Sequence, residues 1–133
     1  MSDTPPDAVD WRRLREFAGV DLAGSYVLSW GLERETLLVD VDLLLTSEHP
    51  FYEKPRPAEK VCIRPAVIEF PYCESIVVDA APANESLSAT VERLQHGSID
   101  TLWRHNDGPY EIRGEFGSVS IDAERPILRL RGP

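Results

Sequence analysis

The chain has 133 residues and a mass of 15.0 kDa, with 42% hydrophobic and 28% charged residues and a formal net charge of −9. This is the size of one domain, with enough apolar residues for one core and too many for a disordered chain. No apolar run approaches the roughly 20 residues of a membrane helix, and a pI near 4.7 argues against nucleic-acid binding, which needs a basic face.

Residues 1–8 read as a loose acidic tail with no basic segment followed by an apolar one, so a signal peptide is not expected and a cytoplasmic location is. Asp7 or Asp10 suits the cap of a short helix over residues 9–19. Trp11, Leu14, Phe17 and Ala18 supply its buried stripe, and Gly19 its stop.

From Gly24 the apolar period changes to two. Tyr26, Leu28 and Trp30 share one face of a strand over 25–31. After a polar turn, residues 35–45 place Leu37, Val39, Val41, Leu43 and Leu45 on one face and Leu38, Asp40, Asp42 and Leu44 on the other. The pair reads as a long antiparallel hairpin. Residues 46–58 break the pattern with Pro50, Pro55 and Pro57, the signature of a stiff, extended surface excursion.

A strand resumes over 60–70, where Pro65 argues for an edge or a bulge, and a shorter one follows over 74–80. Asn84 is a candidate cap for a segment over 85–94 that reads as either helix or strand, with Leu87, Val91 and Leu94 on one side. Strands follow over 98–104, from Tyr110 to Ile121 with Gly117 as a bulge or tight turn, and over 127–131. The whole reads as mainly β (α+β): an antiparallel sheet or two-layer β-sandwich of about seven strands in one domain, 24–131 forming its body.

The chemistry-bearing residues are sparse. Cys62 and Cys73 form neither a C-x-x-C pair nor a disulfide framework, and both are expected to be reduced. His49, His96 and His105 have none of the spacings that seat a metal on one element. Asp40 and Asp42 lie on one strand face, about 7 Å apart. That suits a divalent cation or an acid–base pair, and equally a solvated face opposite the core. No G-x-S-x-G, G-x-G-x-x-G or phosphate-loop pattern occurs, so no cofactor, metal or catalytic residue is expected.

Two features point to a partner. Residues 33–85 hold 11 acids against 5 bases, a field that steers a cationic partner or serves solubility alone. The stretch from Glu48 to Pro57 sets His49, Phe51, Tyr52 and Arg56 among prolines, the stiffened aromatic and arginine chemistry of interface hot spots. Its other reading is an anchor pinning a long loop to its own sheet.

The order of a Ser-Tyr-Val-Leu-Ser-Trp strand, a long Leu/Val strand, a strand ending Val-Ile-Glu-Phe and the run Tyr-Glu-Ile-Arg-Gly-Glu-Phe-Gly-Ser-Val-Ser-Ile-Asp-Ala resembles small bacterial β-rich domains, some grouped with the immunity proteins of polymorphic toxin systems. The resemblance spans 24–131 without the proline-rich insertion and implies a non-enzymatic protein binder. It carries over no individual residue. The expected function is therefore an acidic protein-binding module for a basic partner, of unspecified oligomeric state. Its alternatives are a small-ligand-binding β domain using Trp30, Trp103 and Tyr110, and a metal-dependent hydrolase using Asp40 and Asp42.

Overall fold

The alternation from Leu37 to Leu45 builds the centre of the fold. In the computed structural model, which describes residues 4–55, 57, 58, 60–79, 86–106 and 108–131, strand β3 (Thr36–Leu45) turns Leu37, Val39, Val41, Leu43 and Leu45 inward, none more than 3% exposed. Its neighbours are β2 (Val20–Glu33) and β4 (Cys62–Phe70), both antiparallel to it. The β2–β3 turn places Arg34 at φ 57°. Two register shifts bend the 14-residue β2, between Asp21 and Tyr26 and between Val27 and Ser29. At the first, the Ser25 hydroxyl replaces the broken ladder: it accepts from the Leu44 N–H and donates to the Asp21 carbonyl, both at 2.9 Å.

Five more strands extend the sheet: β5 (Ser75–Val78), β6 (Gly97–His105), β7 (Tyr110–Gly114), β8 (Gly117–Asp122) and β9 (Ile127–Leu130). The spatial order is β5-β8-β7-β6-β2-β3-β4-β9, with a short β1 (Ala8–Asp10) paired to the C-terminal half of β6. The two ends of this path meet. Strand β4 passes into β5 through residues 71–74, and β8 into β9 through 123–126. These connections are bonded at their margins, Glu124 N–H to the Pro71 carbonyl and Glu74 N–H to the Asp122 carbonyl, both 2.8 Å. β4–β5 and β8–β9 thus form one bent ribbon that closes the sheet around a single hydrophobic cluster. Inside it Phe70 of β4 meets Tyr110 of β7 edge-on, with ring centroids 5.7 Å apart.

The mainly β, antiparallel reading holds, with nine strands among the described residues in place of about seven. The helix expected over 9–19 does not form. Its residues make β1 and two one-turn 3₁₀ segments, Trp11–Arg13 and Arg15–Phe17, separated by an extended Leu14. Trp11, Leu14 and Phe17 recur every third residue, a spacing that 3₁₀ turns satisfy as well as an α-helix. The Asp10 carboxylate accepts from the Arg12 N–H at 2.9 Å, while the chain just before it is drawn into the ladder with β6.

The ambiguous segment contains helix α1 (Leu87–Glu92), capped by the Ser86 hydroxyl. The proposed cap Asn84 lies outside the described residues. Pro65 does not mark an edge strand, since β4 lies between β3 and β9. The Arg131 N–H donates to the Pro65 carbonyl at 2.9 Å, so the donor that Pro65 lacks would have faced the β9 side, just past the last residue of that strand.

Candidate protein-binding groove

The chain leaving β3 is fastened at once to the chain entering β2. Both the N–H and the hydroxyl of Thr46 donate to the Gly19 carbonyl, at 2.9 and 3.1 Å. Two turns follow, closed by His49 N–H to the Thr46 carbonyl and Tyr52 N–H to the His49 carbonyl, each 3.0 Å. The His49 ring locks the second turn by accepting the Phe51 N–H on Nδ1 at 3.0 Å, and desolvation holds its pKa below the ordinary value. Gly19 permits this crossing. It sits at φ 76°, and a Cβ there would stand 2.8 Å from the His49 Cα.

This scaffold sends its two aromatics in different directions. Tyr52 packs against the core, whereas Phe51 is 62% exposed beside the His49 ring. Together with Pro50 and Glu53 they form one wall of a groove of about 390 Å³, whose other wall is Arg64, Leu130 and Arg131. The charges at its rim are paired: Arg64 with Glu53 at 2.6 Å, and Arg131 with Asp40 at 2.5 Å. A cleft with apolar walls, aromatic rings and fixed guanidinium groups can hold a peptide side chain and its backbone.

Of the residues singled out in the sequence, Phe51 and Tyr52 line the groove, His49 braces it from within the loop, and Arg56 lies outside the described residues. Arg64 and Leu130 come from strands distant in sequence, and Arg131 directly follows the second of them. Their only sequence signal is the apolar alternation that set β4 and β9 in register.

The other constellations separate. Asp40 and Asp42 share the outward face of β3, but Asp40 is engaged by Arg131 and by the Ser29 hydroxyl at 2.8 Å. Among the described residues no group of three His, Cys, Asp or Glu converges as a metal site would require. Trp30 packs edge-on to Phe116 and donates its indole N–H to the Gln95 carbonyl. Tyr110 is inside the barrel and Trp103 on the opposite face of its wall, so the three line no common cavity. Cys62 and Cys73 are buried, and the Cys73 pKa is pushed up to about 11 by burial and the nearby Asp122 carboxylate, leaving an unreactive thiol. No helix among the described residues is long and apolar enough to cross a membrane. No family model, curated protein or solved structure matches the chain.

Proposed function

We propose that the protein is a non-enzymatic binding module whose contact surface is the groove between the proline-rich loop and the β4–β9 edge. One observation carries this reading: the loop is locked by paired turns, yet it holds Phe51 out at the groove rim. An aromatic ring already held in its bound position loses little entropy on contact, which is how hot spots act. The acid excess of residues 33–85 provides long-range steering toward a partner that is basic overall. This fits the immunity-type role that the sequence resemblance implies.

The test is affinity capture from a lysate of the organism that encodes the protein, with wild-type and Phe51→Asp baits run in parallel and bound proteins identified by mass spectrometry. The expected result is a stoichiometric basic protein retained by the wild type and lost from the variant, the two baits having equal melting temperatures. A partner held equally by both baits would remove the groove from the contact surface.

A further inference from the structure

The groove opens beside the outer edge of β9, and the ladder there has a defined parity. Because Arg131 N–H bonds to the Pro65 carbonyl, Ile127 and Arg129, at the same parity, also face β4. Leu128 and Leu130 therefore turn their N–H and C=O groups away from β4, to a side where β9 has no strand neighbour among the described residues. Four backbone groups on this edge lie outside the ladder, and the 3₁₀ segment Arg15–Phe17 packs against the same strand.

A second copy of β9 fits poorly in the antiparallel registers. A two-fold axis at Arg129 sets that residue against its own equivalent, and an axis at Leu130 sets Arg129 against Arg131 of the other copy. An axis at Leu128 places Pro126, which has no N–H, opposite Leu130. The edge is guarded against itself and open to a different sequence.

We infer, building on the groove reading, that a partner engages here as an extended segment added to β9, with a carboxylate opposite Arg129 and apolar residues beside Leu128 and Leu130. The side chain of Arg129 is 62% exposed and its Nε bonds Glu69 of β4 at 2.7 Å, which keeps a guanidinium charge on the outer face of the sheet beside the incoming strand. On the inner side Leu128 and Leu130 are half-buried against the core, and Leu130 also lines the groove walled by Phe51 and Tyr52. The inserted segment thus alternates acidic and apolar residues, although the protein bearing it is basic as a whole.

The probe is a capped peptide alternating valine and glutamate, with a valine–lysine peptide and a version N-methylated at alternate amides as controls. Amide hydrogen exchange and ¹H–¹⁵N shifts of the full chain are followed on titration. The valine–glutamate peptide is expected to slow exchange at Leu128 and Leu130 by about tenfold or more at saturation, with both controls inert. Arg129→Glu, with its spectrum otherwise intact, is expected to reverse the preference to the valine–lysine peptide. Absence of protection at Leu128 and Leu130 at millimolar peptide, or protection by both peptides alike, overturns strand addition. Shifts confined to Phe51, Tyr52 and Arg64 also overturn it while leaving the groove reading standing. Loss of the groove reading itself is seen separately, as capture insensitive to Phe51→Asp.

Discussion

The indole N–H of Trp103 donates to Nε2 of His105 at 3.1 Å, on the outward face of the β6–β7 wall. The donor is 1% exposed, so it has no recourse to water. In this arrangement Nε2 is the acceptor and the neutral ring carries its proton on Nδ1. The Glu111 carboxylate stands 3.5 Å from the same nitrogen, and Arg113 lies over the indole ring at 4.7 Å. His105, one of three candidate metal ligands by residue type, is thus a hydrogen-bond acceptor for a buried tryptophan.

Replacing that acceptor strands the indole N–H. His105→Phe is expected to cost about 1–3 kcal/mol, the range for an unsatisfied buried donor. His105→Gln, whose amide oxygen can accept the same bond, is expected to recover most of it. Urea unfolding followed by tryptophan fluorescence measures both. Equal stability of the phenylalanine variant and the wild type would remove the bond from the fold's energetics.

Glu111 sets the acid limit of the same cluster. Burial alone would raise its pKa. Hydrogen bonds from Arg113 at 2.6 Å and Ser118 at 3.0 Å, with the charge of Arg113, outweigh burial and hold the pKa below the ordinary value. A carboxylate with a lowered folded pKa adds stability that is complete above its ordinary value of 4.5 and lost as pH falls through the folded value. Glu111→Gln is expected to cost about 1–2 kcal/mol at neutral pH and to flatten the stability profile below about pH 4.5. Denaturant midpoints from pH 3 to 7 test this; parallel profiles for variant and wild type would count against it.

The sequence is legible where burial is one-sided. The alternation in β3 identifies every inward residue, because a slip of one position would expose the whole set. It is less legible where short segments answer to their neighbours. Trp11, Leu14 and Phe17 fit two kinds of helix, and only the pull of β6 on residues 8–10 decides between them. The groove was half visible: Phe51 and Tyr52 stand out by composition. Arg64 and Leu130 do not, since their approach depends on the closure of the ribbon.

Gly19 stops no helix; its role is to let the loop pass. With φ at 76° and His49 against its α-carbon, Gly19→Ala combines a left-handed backbone with a direct clash. A loss of about 2 kcal/mol or more is expected, with shifted amide resonances for Thr46, His49 and Phe51. A stability within about 0.5 kcal/mol of wild type, the usual span of neutral surface changes, would show that the loop crosses elsewhere in solution.

Phe51 and Tyr52 are adjacent, yet they are expected to separate binding from folding. Tyr52 packs on the core and closes a turn through its N–H, so Tyr52→Ala removes buried apolar surface. A loss of about 1–3 kcal/mol is expected, less than a full core truncation because the ring is only half-buried. Phe51 is 62% exposed, so Phe51→Ala leaves the folded state within about 0.5 kcal/mol of wild type. Its effect falls on the complex, where truncating a pre-positioned aromatic weakens affinity by about 1–2 kcal/mol or more. Measuring melting temperature and partner affinity on both variants separates the roles: Tyr52 as anchor, Phe51 as contact. If Phe51→Ala lowered stability as much as Tyr52→Ala, the ring would be part of the loop's own packing. If it left both stability and affinity intact, the groove rim would not be where the partner binds.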